Sequence, residues 1–243
     1  MDWHARYLQQ ARWTAQLRSY LFNKAGLRPG QRVLELGCGT GAVLADFPQR
    51  TGLHGLDLDF QALTQAAQNT PGAHLTCGDG ANLPYANAAF EHVYCHFVLL
   101  WVKDPERVVS ELRRVTCPGG AVLVLAEPDY GGRIDYPAEL SALGRWQIES
   151  LQKQGADPSM GRKLSGILAR AGLRQVESGV LGGEWQGRLP DGDLELEWQV
   201  LAADLVGQVP SEEIQKLKTL DQRSRRQAER VLYVPTFYGW GLV

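Results

Sequence analysis

The sequence has almost no net charge, few cysteines and no ligand spacing typical of a metal module. Lys and Arg together number 25 and Asp and Glu number 27, so the formal net charge is -2. That charge is too small to attract nucleic acid or an anionic membrane unless a local basic patch exists. The four cysteines form no CxxC pair, and they are Cys38, Cys77, Cys95 and Cys117. We therefore predict no metal site, no disulfide framework and a reducing, cytoplasmic setting.

Long apolar segments are also lacking. The longest apolar run, residues 93–102, is interrupted by His96. The first twenty residues contain Asp2 and three arginines where a signal peptide would have an apolar core. We expect neither secretion nor a membrane span. With 243 residues, of which 44% are hydrophobic, the chain has enough apolar material to bury one core of ordinary domain size.

Short apolar runs alternate with helical periodicity through the first half of the chain. Strands are predicted at residues 33–36, 52–56, 74–77, 92–96 and 121–126, and helices at residues 3–22, 42–47, 60–68 and 105–115. Strands that alternate with helices predict an α/β fold, in which helices cover both faces of a doubly wound, mostly parallel sheet.

The second half of the chain has more helix than a sheet requires. It is predicted to contain helices at residues 161–171, 191–207 and 211–231, a sixth strand at 173–181 and a seventh at 233–243. No linker or repeat separates these elements, so we predict one seven-stranded domain over residues 1–243. Its predicted parts are an N-terminal helical lid (1–25), a cofactor-binding half (31–127) and a substrate-side region (136–232) that includes a helical cap between strands six and seven.

A glycine-rich turn follows the first predicted strand. Gly37, Gly39 and Gly41 let the backbone approach a ligand closely, and a helix after them would present free N–H groups. Gly37-x-Gly39-x-x-Ala42 also satisfies the relaxed dinucleotide fingerprint, with Asp57 where a ribose-binding acid belongs. The turn alone leaves three interpretations open: an adenosyl cofactor, a dinucleotide, or a structural turn without a ligand.

Glu35 favours one of these cofactors. A carboxylate just before the first glycine would repel a pyrophosphate but complement an ammonium or sulfonium cation, and S-adenosylmethionine carries both. The alternative is that Glu35 forms an ion pair with a neighbouring Arg or Lys.

Ordered motifs across residues 31–127 resemble those of the class I S-adenosylmethionine-dependent methyltransferases. Residues 33–41 are similar to motif I almost residue for residue, residues 55–59 to the second-strand motif and residues 78–84 to the third. Residues 90–96 and 112–120 are similar to the fourth strand and to the approach to the fifth. The resemblance implies the class I methyltransferase fold, S-adenosyl-L-methionine as cofactor and methyl transfer as the activity.

The resemblance also implies roles for residues of this chain. It implies that Asp57 binds the ribose hydroxyls and that Asp79 meets the adenine amino group, through charge-assisted hydrogen bonds. Asp59 has a second interpretation, as the cap of a helix that begins at Phe60. The implied cofactor-binding set is Glu35, Gly37, Cys38, Gly39, Gly41, Asp57, Leu58, Asp79, Gly80, Ala81 and His96.

The acceptor is less well defined by the sequence. Residues 95–102 contain neither the Asn-Pro-Pro-Tyr nor the Asp-Pro-Pro-Tyr sequence of amino-group methyltransferases, which disfavours exocyclic amines. The wider sequence is similar to the ubiquinone/menaquinone-type small-molecule methyltransferases, which implies a small, aromatic or quinone-like acceptor. Two other classes stay open. One is a nicotinamide-dependent oxidoreductase, against which the Asp79 motif argues, and the other is a non-catalytic protein that binds S-adenosylmethionine.

Two side chains are candidate catalytic residues, His96 as a general base and Glu127 as a ligand of the substrate. Methyl transfer is an in-line displacement, so the enzyme must position a nucleophile and remove a proton where the acceptor requires it. His96 is predicted at the end of the fourth strand and Glu127 at the end of the fifth. Their alternatives are a packed or cofactor-bonded histidine and a carboxylate that holds a loop or helix.

Aromatic side chains cluster in the segments that flank the predicted cleft. Stacking on a flat substrate is one interpretation and core packing is the other. The candidate pocket residues are Trp3, Tyr7, Trp13, Trp101, Tyr130, Trp146 and Trp185. Basic and acidic side chains are mixed in the helix predicted at 211–231, which favours a solvated face over an RNA-binding patch. A small molecule, and not nucleic acid, is therefore the expected partner.

Overall fold

The computed structural model describes residues 2–47, 52–182 and 191–243. Within those residues the strands are β1 (Arg32–Leu36), β2 (Gly52–Asp57), β3 (His74–Cys77), β4 (Phe90–Cys95), β5 (Thr116–Pro128), β6 (Ile134–Tyr136), β7 (Arg174–Val180), β8 (Val231–Tyr233) and β9 (Thr236–Leu242). The α-helices there are α1 (Trp3–Lys24), α2 (Phe60–Asn69), α3 (Pro105–Val115), α4 (Ser141–Lys153), α5 (Met160–Arg170), α6 (Asp191–Asp204) and α7 (Ser211–Arg226).

The main sheet has seven strands in the order β3-β2-β1-β4-β5-β9-β7. β1 pairs in parallel with β2 and β4, and β4 pairs in parallel with β5, whereas β9 runs antiparallel between β5 and β7. The prediction of a doubly wound, mostly parallel, seven-stranded sheet is confirmed. The strand order reverses between β1 and β4, and sheets of this kind bind ligands beyond the carboxyl ends of the strands at such a point.

The apolar run in β1 explains its central position. Val33, Leu34 and Leu36 are all buried, as expected for a parallel strand that helices cover on both faces. Leu34 and Leu36 pack in one apolar cluster with Leu112 of α3, and Val33 packs in another with Leu21 of α1. The alternation of side chains along β1 therefore places α1 and α3 on opposite faces of the sheet.

Aspartate side chains cap the N-termini of two helices, α2 and α3. Asp59 accepts hydrogen bonds from the N–H groups of Gln61 at 2.8 Å and Ala62 at 3.3 Å. The alternative interpretation of Asp59, as the cap of α2, is confirmed. Asp104 caps α3 in the same way, by accepting from the N–H of Arg107.

A separate apolar cluster lies among the elements outside the main sheet. We call α4, α6, α7 and the small antiparallel sheet of β6 and β8 the cap. Leu143, Trp198 and Leu217 are buried together in it. The indole N–H of Trp198 donates to Asp221 Oδ2 at 3.0 Å, which ties α6 to α7. The cap thus has its own packed core.

The α-helix predicted at residues 42–47 is wrong. Only a 3₁₀ turn, Leu44–Asp46, forms there. Gly41 has a φ of +80°, and Phe47 is extended at φ -80° and ψ 144°. The extended Phe47 is explained by the next residue in the sequence, Pro48, because proline disfavours a helical conformation in the residue before it. Residues 42–47 therefore do not supply the helix N-terminus that we expected to face a ligand.

The last predicted strand, residues 233–243, forms as β9 but begins later than predicted, and only Tyr233 of that range lies in β8. β8 ends at Tyr233 and β9 begins at Thr236, because Pro235 has no N–H to donate within a sheet. β8 pairs with β6 and not with the main sheet.

The helix predicted at 211–231 ends earlier, at Arg226. Among the described residues, no helix combines the length and the apolar character that crossing a membrane would require.

Candidate functional site

The glycine turn presents bare backbone at the carboxyl end of β1. Gly37 and Gly39 have φ values of +70° and +50°, left-handed conformations that favour glycine. A Cβ at Gly37 would lie 2.4 Å from Val98 Cγ2, in the loop after β4. The fold therefore leaves no room for a side chain at this position.

Two carboxylates follow the neighbouring strands. Asp57, at the end of β2, accepts the N–H of Gly39 on Oδ2 at 2.7 Å and that of Asp59 on Oδ1 at 2.9 Å. Asp79, just past β3, accepts the N–H of Ala81 at 2.9 Å. Each carboxylate oxygen has two lone pairs, so both side chains keep acceptor capacity for a ligand.

Glu35 lies beneath the turn. Its side chain is buried, and the Tyr94 hydroxyl donates to its Oε2 at 2.9 Å. Burial raises the pKa of Glu35 to about 8, against the opposing effects of the Tyr94 hydrogen bond and the Arg18 charge. Arg18 forms its own ion pair with Asp46 and not with Glu35. A cationic ligand would lower the pKa of Glu35 and ionise its carboxyl group.

The first turns of α1 lie on the glycine turn. A Cβ at Gly39 would be 3.2 Å from Cε2 of the Tyr7 ring. His4 Nδ1 lies 2.7 Å from Thr40 Oγ1, and Asn69 of α2 donates to the Thr40 carbonyl at 2.8 Å. Helix α1 is therefore fastened over the end of β1.

His96 follows β4 and faces α1. Its Nε2 lies 2.9 Å from Thr14 Oγ1, and Arg18 donates to the same oxygen at 2.5 Å. Burial, with a smaller effect of the Arg18 charge, lowers the pKa of His96 to about 3. A ring with so low a pKa is a weak proton acceptor. The geometry favours the alternative of a packed histidine.

Glu127 is fully buried near the end of β5. Its Oε1 accepts the N–H groups of Val98 at 3.0 Å and Leu99 at 2.7 Å, and its Oε2 accepts that of Leu100 at 3.0 Å. Burial raises the pKa of Glu127 to about 7, and these three bonds oppose that rise. The geometry favours the alternative in which Glu127 holds a loop, here the one after β4.

One cavity of about 640 Å³ extends from the sheet edge to the cap. The candidate cofactor-binding residues that line it are Glu35, Gly37, Cys38, Gly39, Asp57, Leu58, Asp79, Gly80 and His96. Gly41, Ala81 and Glu127 are not part of the lining. Gly41 packs against α2 instead, where a Cβ would lie 2.9 Å from Thr70 Cγ2.

The candidate pocket aromatics fall into three groups. Those that line the cavity are Trp3, Tyr7, Trp13, Trp101 and Tyr130. Trp146 packs against the apolar cluster of the cap and does not line the cavity. The reason is helical geometry, since Leu143, Gln147 and Leu151 occupy the face of α4 that lines the cavity. Trp185 lies outside the described residues.

The cap adds charged groups to the cavity that sequence reasoning missed. They include Glu197 and Asp204 of α6 and Asp221 and Arg225 of α7, which line the same cavity as Arg6 of α1. The prediction of a solvated face on the last helix is therefore wrong for Asp221, which is buried, whereas Lys216, Arg223 and Arg226 are exposed.

Asp221 shows why that prediction failed. Its side chain is buried and accepts from Arg225 at 3.0 Å and from Arg230 at 2.5 Å. Leu217, Asp221 and Ser224 are all buried, at spacings of four and three residues. Asp221 thus continues an apolar stripe, and that spacing was the signal that could have revealed it.

Comparison with known proteins agrees with this geometry. The family described as "Methyltransferase domain" matches residues 34–124. An uncharacterised 37.1 kDa protein in transposon TN4556 of Streptomyces fradiae is 32% identical over an alignment of 180 residues that covers 69% of this chain and 51% of that protein. A demethylmenaquinone methyltransferase of Renibacterium salmoninarum is 33% identical over 127 residues, which are 51% of this chain and 52% of that enzyme. The chain spans about half the length of these curated relatives.

Solved structures share the architecture. A protein of Anabaena variabilis, described as a methyltransferase of an antibiotic biosynthesis pathway, matches with a TM-score of 0.69 and 14% identity. The match covers 96% of this chain and 100% of that one, and at that identity it concerns the fold alone. The ordered motifs, the strand order and the matches agree: the chain has the class I methyltransferase fold, and its residues 34–124 match the methyltransferase-domain family.

Proposed function

We propose that this protein transfers the methyl group of S-adenosylmethionine to a small, flat acceptor held between α1, the loop after β4 and the cap. One observation carries the proposal: a single cavity is lined at one end by the glycine turn, Asp57 and Asp79, and elsewhere by aromatic side chains. Methyl transfer requires donor and acceptor in one enclosed space, with the nucleophile in line with the S–CH₃ bond.

The residues at the sheet edge fit the donor. Asp57 keeps free lone pairs for the ribose hydroxyls, and Asp79 lies past the next strand, where it would accept the adenine amino group. The left-handed glycines let the methionine part pass close to the backbone. Glu35 beneath them would complement the positive charge of the donor. The donor supplies an activated methyl group when it is bound.

We assign to the protein's side chains the role of positioning donor and acceptor for methyl transfer. His96 and Glu127, the two candidate catalytic residues, are buried, and their side chains already form hydrogen bonds within the protein. In-line displacement on an activated methyl group gains most from holding the reacting atoms close and aligned. We therefore propose an acceptor whose nucleophilic atom needs little help from a strong base.

An aromatic or quinone-like acceptor is the finer part of the proposal. Trp3, Trp13 and Trp101 line the cavity and are each about half exposed, so their rings present flat apolar surface to a ligand. The relative named a demethylmenaquinone methyltransferase supports the same class of acceptor.

Calorimetry followed by a transfer assay tests the proposal. We expect binding heats from S-adenosylmethionine and S-adenosylhomocysteine and none from NAD. We then expect labelled methyl to pass to members of a panel of phenols, hydroquinones and naphthoquinols. Tight NAD binding without heat from either adenosyl ligand would favour the oxidoreductase interpretation. Donor binding without transfer to any panel member would favour a non-catalytic binding protein.

A further inference from the structure

We propose that the acceptor is a hydroxylated ring whose hydroxyl is bound by Arg6, Tyr130 and Glu197. This inference rests on the proposed function and narrows its acceptor to neutral molecules that both donate and accept a hydrogen bond. The three side chains come from α1, from the 3₁₀ turn after β5 and from α6, and all three line the cavity.

Arg6 has unused hydrogen-bond donors. One guanidinium nitrogen donates to Gln9 Oε1 at 2.5 Å, and the group lies 4.8 Å from the centre of the Trp13 ring. A guanidinium has five N–H donors, and no described carboxylate forms an ion pair with this one. Burial lowers the pKa of Arg6, while the Glu197 and Tyr130 side chains oppose that shift. A partly desolvated cation without a carboxylate partner favours an oxygen ligand.

Tyr130 and Glu197 also have unused capacity. Within the described residues the Tyr130 hydroxyl has no hydrogen-bond partner, and burial raises its pKa, so it stays a phenol able to donate or accept. The one ion pair of Glu197 in that part of the chain is with Arg225 at 3.6 Å, too long for a hydrogen bond. The carboxylate oxygens of Glu197 therefore remain available as acceptors.

Other charged groups at this end of the cavity neutralise one another. Arg133 pairs with Asp135 at 2.6 Å, and Arg230 pairs with Asp135 at 2.7 Å and with Asp221 at 2.5 Å. These buried pairs hold the cap together and have little left to offer a ligand. Arg6 and Glu197 differ from them, because among the described residues Arg6 forms no ion pair and Glu197 forms only the 3.6 Å pair with Arg225.

The combination of a cation, a phenol and a carboxylate discriminates between acceptors. An anionic acceptor would be attracted by Arg6 but repelled by Glu197 and Asp204, and a cationic one would be attracted by these two carboxylates but repelled by Arg6. A neutral hydroxyl satisfies all three groups, since its oxygen accepts from Arg6 and Tyr130 while its proton is donated to Glu197. Trp13, on which Arg6 stacks, would face the ring of the same molecule.

The test measures ligand binding by calorimetry to the protein saturated with S-adenosylhomocysteine. Four compounds share one ring system and differ in one group: 1-naphthol, 1-methoxynaphthalene, 1-naphthoate and 1-naphthylmethylammonium. We expect 1-naphthol to bind about tenfold or more tightly than each of the others, the scale of one well-placed hydrogen bond to a charged group. Equal affinities, or tightest binding of the carboxylate or the ammonium compound, would overturn the inference.

Three conservative variants locate the hydroxyl. Arg6→Gln, Tyr130→Phe and Glu197→Gln should each weaken 1-naphthol binding about fivefold or more while leaving S-adenosylhomocysteine binding within about twofold. Glu195→Gln is the control, because Glu195 lies on the same helix but pairs with Lys218 outside the cavity lining. If the first three variants bind 1-naphthol as the control does, the assignment is wrong. If S-adenosylhomocysteine does not bind the unaltered protein, the proposed function itself fails.

Discussion

The ring of Tyr7 rests on Gly39, so close that a Cβ added to the glycine would lie 3.2 Å from the ring. Burial, together with the charges of Asp57 and Asp59, raises the pKa of Tyr7, so its hydroxyl keeps its proton near those carboxylates. The contact makes α1 one wall of the cavity. We therefore expect α1 to enclose a bound donor and not merely to flank it.

Removing this wall should impair transfer more than donor binding. We expect the double variant Trp3→Ala/Tyr7→Ala to lose about tenfold or more in kcat/KM for the acceptor, because two rings that exclude water and hold the acceptor are gone. Donor affinity, measured by calorimetry, should fall by less, because the carboxylates of the sheet edge are intact.

Tyr20→Ala is the matched control for this prediction, since Tyr20 is an exposed aromatic residue of the same helix that does not line the cavity. Point substitutions are sharper than deletion of residues 1–14, because Ala11 and Thr14 are buried and their loss would disturb the core. Full activity of the double variant would show that α1 has no part in the acceptor pocket.

Asp57→Ala should weaken donor binding by about 1.5 to 3 kcal/mol, the usual scale for hydrogen bonds to a charged group. It should also lower the melting temperature without ligand, because Asp57 accepts the N–H groups of Gly39 and Asp59. Calorimetry and thermal unfolding measure the two effects. Asp59→Ala serves as the control: it should cost about 1 kcal/mol of stability through loss of the α2 cap and leave donor affinity unchanged. If Asp59→Ala weakens donor binding and Asp57→Ala does not, Asp59 is the residue that binds the ribose.

Glu35 should make the stability of the ligand-free protein depend on pH. Burial raises the pKa of Glu35 to about 8 in the folded protein, above the ordinary value of 4.5 for this carboxyl group. The contribution of protonated Glu35 to the free energy of unfolding is therefore fully present below pH 4.5. It is lost as the pH rises towards 8, because the unfolded chain releases this proton at a lower pH than the folded protein does. The variant Glu35→Gln should not show this fall in stability. Denaturant unfolding of the unaltered protein and the variant between pH 4.5 and 8 measures the difference. Parallel curves of stability against pH would show that Glu35 is ionised when buried.

The same carboxyl group should release a proton when a cationic donor binds near neutral pH. The positive charge of S-adenosylmethionine lowers the pKa of Glu35, so part of the protonated population must ionise. Calorimetry in buffers of different ionisation enthalpy counts the protons released. We expect release from the unaltered protein and none from Glu35→Gln. Equal proton release from both proteins would place its source elsewhere.

Glu127→Gln should destabilise the protein by about 1 to 3 kcal/mol, because an amide NH₂ group would face a backbone N–H that now donates to a carboxylate oxygen. The loop it holds carries Trp101, so we expect a raised KM for the acceptor with a smaller change in kcat. Glu106→Gln, at an exposed ion pair with Arg170, is the control and should change neither quantity. A collapse of kcat at unchanged stability would instead make Glu127 a base.

The main sheet could be predicted from the sequence because its central strands are buried on both faces and read as apolar runs bounded by turns. The positions of Asp57 and Asp79 could be predicted once their strands were known, since the carboxyl ends of parallel strands lie at a common edge of the sheet. The surroundings of His96 and Glu127 could not be predicted, because their partners Thr14 and Leu99 lie on other elements. Local spacing contains no information about such distant pairs.

The charged end of the cavity was missed for a related reason. Asp135 and Arg230 are far apart in sequence, and each alone is typical of a solvated surface. Only the fold shows that the two side chains are buried against each other. The helix predicted at 42–47 failed for a local reason instead, because a glycine before it and a proline after it limited it to a 3₁₀ turn.

The pairing of β6 with β8 has a consequence for the order of events in a catalytic cycle. A two-stranded sheet is only marginally stable by itself, and this one is joined by three residue pairs and by the buried ion pair of Asp135 with Arg230, which its opening must also break. Transient opening of this sheet would loosen the cap while the seven-stranded sheet and its glycine turn stay intact. An acceptor could then enter, and its methylated product leave, without disturbing the adenosyl ligand. Such an arrangement favours sequential kinetics in which the donor binds first and its demethylated product departs last.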